Sequence, residues 1–375
     1  MKITSLNVFA VKPRWVLVKI TTDNGLTGWG ESLGDKAQVV MEAVRSFEDA
    51  LIGEDPRRIT HHWQVLYRGA FWRGGPILCA AISGVEMAMW DILGKSLNVP
   101  VWQLLGGSVR DRIRMYTRAN GASPAQLAES AKSAVARGFT ALKFCPFEQV
   151  HIVDHYSVVH EAASRVAAVR EAVGNGVDIL LDFHGRVSPT MAIWMEDAMR
   201  EFHPIFIEEP VLPENSDALL DVCRQFKTPV ATGERLFTKW GFREILKERS
   251  AAVLQPDPCI CGGIQETRAI GAMAEVEYRA LAPHNPYGPI NLAACLHVDA
   301  TTPNFLVQEF VDPVGLGGGL LKTPWKVEAD CTILLPQQPG LGVEPDEEWI
   351  AANGIGRLKD PGRWYHSDDG SMADW

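Results

Sequence analysis

Seven ionisable residues close short apolar runs in the second two-thirds of the chain. They are Lys143 in "ALKFCP", Asp182 in "ILLDFHG", Glu208 in "IFIEEP", Glu234 in "VATGER", Asp257 in "VLQPDP", His284 in "ALAPHN" and Glu309 in "LVQEF". From Asp182 onward they stand 26, 26, 23, 27 and 25 residues apart. One strand-plus-helix unit of an eight-unit barrel consumes about that length, since roughly 250 residues build eight units. The spacing predicts that these groups end successive strands at one height, around the mouth where such barrels carry their active sites. His184 shares that face, because side chains two apart on a strand point the same way as Asp182.

The residue types suggest the chemistry. Ionisable groups crowded into one cavity repel and lose solvation unless something neutralises them. Asp182, Glu208 and Glu234 offer hard oxygens and no thiolate, a set suited to Mg²⁺, with Mn²⁺ as the alternative, rather than to zinc. Such a cation polarises a substrate carboxylate. Asp257, one strand before His284, is placed to hydrogen-bond its ring and raise its basicity. Glu309 lies on the far side. Two histidines beside a bound carboxylate are the parts needed to remove an α-proton and return one to a departing hydroxyl. Each acid alone reads equally well as a helix cap or a rim ion pair; the repetition over six strands carries the argument.

Residues 1–30 read as an antiparallel meander, with "KITSLNVFAV" and "WVLVKITT" alternating and Asp23-Asn24-Gly25 as a turn. From about 36 to 105 the pattern is helical, with Val85, Met89, Ile92 and Leu93 on one stripe. After about 110, eight strand candidates alternate with helical stretches, from "IRMYTRANG" to "NFLVQEF". That alternation implies a parallel sheet with right-handed crossovers and a (β/α)8-type barrel. Residues 321–375, rich in Pro, Gly and Trp, are expected to pack back over the first region. The expected domains are 1–110, 111–320 and 321–375.

Composition narrows the partners. In 375 residues, 46% hydrophobic and 22% charged side chains describe an ordered globular chain with an ample core. The net charge of −10 argues against a nucleic-acid partner. No apolar stretch approaches the roughly 18 residues of a membrane span, and "MKITSLNVF" reads as a strand rather than a leader, so a cytoplasmic protein with reduced cysteines is expected. Cys259 and Cys261 lack a second pair at zinc spacing. His151 and His155 in "HIVDHYSVVH" stand at i, i+4 without the glutamate of a zinc-protease helix, and read as a solvated helix face. "GLGGGL" at 315–320 does not open a helix and is not a dinucleotide loop.

The chain resembles the enolase superfamily, in its mandelate racemase subgroup, along essentially its whole length. "YRGAFWRGGPIL" (67–78), "LDFHGRVS" (181–188), "FIEEPVL" (206–212), "GERLF" (233–237), "LQPD" (254–257), "GGI" (262–264), "LAPHNPYGPINLAACLH" (281–297) and "GLGVE" (340–344) carry the likeness. "DFHGRVS" and "APHNPYGPI" are the specific segments, and they are most similar to the galactonate dehydratase branch. The resemblance implies a modified TIM barrel of (β/α)7β type under an α+β capping domain built from the N- and C-terminal segments. It implies metal ligation by Asp182, Glu208 and Glu234, a base at His284 supported by Asp257, an acid at His184, and enediolate stabilisation by Glu309.

The expected reaction is therefore Mg²⁺-dependent dehydration of a sugar acid, D-galactonate first, to a 2-keto-3-deoxy acid. The alternatives are another aldonate or an aldarate, a racemase or cycloisomerase on the same scaffold, or a non-catalytic protein that binds an acidic metabolite. Cys145 stands where racemases of the subgroup place a Lys and galactonate dehydratases an Asn, which disfavours a Lys/His racemisation pair. The loop "GESLGDKAQ" (30–38) and Arg118 also depart from that branch. The far end of the sugar would be read by residues 33–38 and 71–76, with Trp72, Arg73, Lys143 and Arg118 as candidate substrate contacts. The expected partners are the small-molecule acid and further copies in a homo-oligomer, with no membrane.

Overall fold

Strands β1 (Ile3–Val11), β2 (Trp15–Thr22) and β3 (Thr27–Ser32) form the expected antiparallel meander in a computed structural model that describes residues 1–248, 250–311, 314–357 and 362–374. The helix Gly75–Leu97 lies directly on β3. Gly28 and Gly30 make that approach feasible: a Cβ at either would stand 2.0 Å from the Ala88 carbonyl oxygen or 1.9 Å from that of Gly84.

This helix corrects one expectation. By length and composition it could cross a membrane, yet 78% of its most apolar window is buried inside the protein. Its acids explain the pattern. Glu86 accepts hydrogen bonds from the backbone N–H groups of Ile264 and Gln265 (2.8 and 2.9 Å), and Asp91 from those of Trp29 and Leu341 (3.0 and 2.8 Å). The helix is apolar because it is a core element, and its charges serve buried backbone rather than water.

Eight parallel strands follow: β4 (Arg112–Arg118), β5 (Ala141–Phe144), β6 (Asp178–Asp182), β7 (Phe206–Glu208), β8 (Val230–Thr232), β9 (Val253–Leu254), β10 (Ala280–Leu281) and β11 (Gln308–Glu309). They pair in chain order from β4 to β10, and β11 pairs with β4. A bridge between Leu281 and Phe305 closes the ring. Helices follow each of the first seven strands. Between β11 and residue 332 the described residues hold a single 3₁₀ turn, Val314–Leu316, in place of an eighth barrel helix, so the barrel is (β/α)7β. In the C-terminal segment β12 (Thr332–Leu334) runs antiparallel to β4, a strand the sequence did not announce. The chain then returns to the first sheet, where Gly354 bridges Val11 and Trp349 packs against Trp15.

The barrel interior is layered. Tyr116, Ala141, Leu180, Phe206, Ala231, Val253, Ala282 and Val307 form one buried cluster inside the barrel, one residue per strand. Two residues further along, at the next inward-facing position, stand Arg118, Lys143, Asp182, Glu208, Gly233, Gln255, His284 and Glu309. The strand period of two thus converts an apolar floor into a polar ring.

A second correction concerns "HIVDH". Neither histidine lies within a helix: His155 caps the helix Tyr156–Val173, and His151 precedes it in a loop. The Asp154 carboxylate accepts from the backbone N–H groups of both, a local alternative to helical hydrogen bonding.

Candidate active site

The backbone at two strand ends departs from extended geometry to aim the site. His184 (φ 53°) and Glu209 (φ 44°) are left-handed, an uncommon state for non-glycine residues. Asp182 holds the first turn: one carboxylate oxygen accepts from the His184 backbone N–H (3.1 Å), and the other meets His184 Nε2 (3.2 Å). Glu209 holds the second. It accepts from Thr232 Oγ1 (2.6 Å), the Gly233 N–H (3.2 Å) and Arg235 Nη2 (2.7 Å), and Arg235 also donates to the His184 carbonyl (3.0 Å). In the pair Glu208-Glu209, the first acid faces the barrel interior and the second braces the loop that carries His184.

The parallel register sets Asp182 beside Glu208 and Lys143 beside Arg118. The buried Lys143 Nζ lies 2.8 Å from Glu208, 3.1 Å from Glu309 and 3.2 Å from Asp182. Arg118 reaches Glu309 at 2.9 Å, and the second Glu309 oxygen accepts from the Asn285 N–H (2.9 Å). Gln255 donates to Glu208 (2.8 Å). Opposite, His284 Nδ1 lies 2.8 Å from Asp257 Oδ2, while its Nε2 is 3.1 Å from Glu234. The other Asp257 oxygen accepts from the Cys259 N–H (2.8 Å) and Asn291 Nδ2 (3.0 Å).

The two histidines are driven apart electrostatically. Burial pulls His284 down, but Glu234, Glu309 and Asp257 together outweigh it and hold the ring up at about 9. Burial takes His184 down to about 4, with Asp182 opposing only in part. Among the acids, burial and then the Asp182 charge push Glu208 up to about 8, and burial raises Glu234 as well. Burial would also raise Glu309, but Lys143 and Arg118 outweigh it and hold that carboxyl well below its ordinary value.

Among the described residues, Asp182, Glu208, Glu234, Asp257 and Glu309 meet two permanently charged groups at ion-pair distance, Lys143 and Arg118. Burial and the neighbouring Asp182 charge make the ionised form of Glu208 costly despite Lys143. A hard, all-oxygen donor set with excess negative charge fits a divalent cation. Lys143 and His284 are the groups that share the carboxylates here.

Above the ring lies a cavity of ≈ 240 Å³. His184, Glu234, His284 and Arg118 line it from the barrel, with Arg235 and Tyr287 beside them, and Arg14, Leu33, Asp35 and Pro76 line it from the first domain. Its far end is a polar cluster: Arg14 stands 3.6 Å from Asp35, and the Tyr287 hydroxyl donates to Asp35 at 3.4 Å. A larger open groove of ≈ 1010 Å³, between the β2–β3 turn and residues 322–348, holds none of the strand-end groups, so chemistry rather than size locates the site.

Seven of the residues singled out from sequence converge here: Asp182, His184, Glu208, Glu234, Asp257, His284 and Glu309. Lys143 lies beneath the cavity among the carboxylates, and Arg118 lines it while paired to Glu309. Trp72 and Arg73 occupy a loop outside the lining. Trp72 is 81% exposed and packs edge-on against Phe71, and Arg73 donates to the Ala70 and Arg68 carbonyls. Sequence reasoning passed over Arg14, Gln255, Asn285, Tyr287 and Asn291.

Known proteins resemble this chain throughout. Residues 5–106 match the family model of the mandelate racemase/muconate lactonizing enzyme N-terminal domain, and residues 126–349 that of the enolase C-terminal domain-like fold. Curated D-galactonate dehydratases from Ralstonia nicotianae and Cronobacter sakazakii are each 44% identical over the full length of both chains. Among solved structures, a mandelate racemase/muconate lactonizing enzyme from Sulfitobacter sp. superposes with a TM-score of 0.90 at 36% identity, covering 94% of this chain and 95% of its own. One from Jannaschia sp. CCS1 gives 0.90 at 34%, covering 96% and 99%.

Proposed function

The chain belongs to the mandelate racemase/muconate lactonizing enzyme family of the enolase superfamily, and on that premise we propose that it is a hydro-lyase dehydrating a sugar acid. The observation that carries the reading is the pair of histidines lining one cavity, with His284 locked to Asp257 and His184 held on its strained turn. D-galactonate is the first candidate substrate, because the full-length relatives carry that name. The product would be the 2-keto-3-deoxy acid.

Asp182, Glu208 and Glu234 would hold the divalent cation, Mg²⁺ or Mn²⁺, which when bound neutralises them and polarises the substrate carboxylate. His284 removes the C2 proton. Asp257 accepts a hydrogen bond from Nδ1–H and so fixes the tautomer, which leaves Nε2 as the acceptor facing the cavity once that ring is neutral. Glu234 is the acid that most favours the charged His284 ring, and a cation held by that carboxylate would weaken this effect and favour the neutral ring. His184 protonates the C3 hydroxyl as it leaves. Enediolate stabilisation would fall to Glu309 together with Lys143 and Arg118, the two cations paired to it supplying the positive charge.

A second reading has a specific observation behind it. With the ring charged at His284 and neutral at His184, the proton inventory favours the reverse division, His184 as base and His284 as acid. The dyad geometry supports the first reading and the charges the second.

The cavity also bears on the substrate. Each of its three arginines already has an acid: Arg14 has Asp35, Arg118 has Glu309 and Arg235 has Glu209. That leaves polar, charge-neutral surface at the far end, which suits the hydroxyl tail of a monoacid better than a second carboxylate. The test is 2-keto acid release across a library of aldonates and aldarates with Mg²⁺ and Mn²⁺. Turnover of D-galactonate or an epimer supports the reading; turnover of diacids alone overturns the substrate class, and release from no sugar acid overturns the dehydratase.

A further inference from the structure

The chain's C-terminal hairpin meets the barrel through a cluster that the reaction does not use. Tyr365 bridges Met372, and the His366 N–H donates to the Ser371 carbonyl (2.9 Å), so the hairpin has a defined shape. His151, in the loop between β5 and the helix Tyr156–Val173, is fixed independently by its N–H bond to Asp154 (3.0 Å). Between these two anchored backbones the His151 and His366 rings stack at 3.9 Å and 17°, and His151 Nε2 stands 3.1 Å from Asp368 Oδ2. One donor atom from each of the three residues lies within 4.8 Å of the other two.

We propose that His151, His366 and Asp368 form a second metal site, for a borderline transition metal of the Zn²⁺ type, that clasps the C-terminal hairpin to the barrel mouth. Two imidazoles and one carboxylate are the mixed donor set of such metals, whereas the all-oxygen set below the cavity is that of Mg²⁺. Tetrahedral zinc at about 2.0–2.1 Å from each ligand needs donor atoms about 3.3–3.4 Å apart. Partly exposed side chains on fixed backbones close that gap by turning, and a tilt of the stacked rings aims both nitrogens at one point. A fourth position is open to water. Asp154 and Asp369 add negative field to the two rings, which favours a cation over a free pair of imidazoles.

The clasp would reach the active-site loops. Trp364, two residues before His366, lies under the Arg186 guanidinium at 4.4 Å, and Arg186 stands two residues after His184. A loaded site would therefore order the hairpin over the loop that carries His184.

The experiment uses the full chain, stripped of metal and then saturated with Mg²⁺ so that the hard-oxygen site is occupied, and titrates Zn²⁺ by calorimetry. One equivalent is expected in wild type and in Glu208→Gln. His366→Ala and Asp368→Asn should each weaken it at least about tenfold, while His155→Ala leaves it intact. Amide exchange over residues 362–374 should slow with Zn²⁺ in wild type and not in His366→Ala. Unchanged binding in both ligand variants, no binding in wild type, or loss of binding in Glu208→Gln would each overturn the site without touching the dehydratase reading.

Discussion

Two groups of buried carboxylates hold this molecule together in opposite ways. Glu31, Glu86 and Asp91 of the first domain are fully buried, and each accepts from at least two backbone N–H groups of other segments. Glu31 takes those of Gly288 and Asn291 (2.7 and 2.9 Å) at the start of the helix Pro289–Thr301, and Glu86 caps the helix Ile264–Val276. Both carboxylates cross the domain boundary to sit on helix N-termini, where dipole and orphan donors favour negative charge. Asp182, Glu208, Glu234 and Glu309 at the barrel mouth are just as buried or nearly so, but their partners are chiefly side-chain cations and one another. A carboxylate matched by backbone donors is architecture. One left with mobile or shared cations is poised to change partners, which a catalytic site requires.

Substitutions in the two groups should therefore separate activity from stability. The largest expected effect is on turnover. Glu208→Gln should lower kcat by about 10²–10³-fold or more, while the metal-free variant melts near wild type below about pH 8, where the carboxyl is already protonated, and above wild type at higher pH, where the substitution removes a buried charge. A variant that keeps full activity would break the distinction. Glu86→Ala should do the reverse. It orphans the Ile264 and Gln265 N–H groups and the Trp90 indole, at roughly 3 kcal/mol, and leaves kcat of the folded enzyme unchanged. Chemical denaturation and steady-state kinetics on the same preparations read both.

The pH dependence of stability sharpens the contrast. Glu208 in the metal-free protein titrates at about 8, against an ordinary 4.5. Between those values the folded state holds a proton that the unfolded chain has lost, so stability falls as pH rises through that window. Melting curves of stripped wild type should show this loss. Glu208→Gln should flatten it, and Mg²⁺ should suppress it in wild type only. A smaller effect belongs to Asp257→Asn. The neutral amide no longer favours the imidazolium of His284, so the acidic limb of the kcat/KM profile should move to lower pH, by on the order of one unit. The smallest is Trp72→Ala, in an exposed loop: stability should stay within about 0.5 kcal/mol.

The sequence made the polar ring legible because a barrel repeats at a fixed interval, and from Asp182 onward each repeat carries an acid or a histidine near its strand end. A finer signal was present but weaker. Arg118, Lys143, Gln255 and His284 each stand two residues past a small or apolar lumen residue, and Gln255 would follow from that rule once Val253 is known to face inward. Arg14 had no such signal. It is brought to the cavity by the hairpin between β1 and β2, and only the packing of one domain on the other places it beside Asp35 and Tyr287. Trp72 illustrates the opposite: an aromatic next to an arginine and a Gly-Gly pair looks like a binding wall, yet it is exposed and lies outside the cavity lining. β12 is three residues long and pairs with a strand more than two hundred residues earlier, beyond the reach of local pattern.

The central claim is that His284 and His184 divide the proton transfers across one cavity. It is tested most directly by following D-galactonate in D₂O with Mg²⁺, reading deuterium at C2 and 2-keto acid release together. The account predicts that His284→Asn abolishes both. It predicts that His184→Asn abolishes release while C2 exchange continues. Exchange that survives in His284→Asn and disappears in His184→Asn would contradict this division and establish the reverse one.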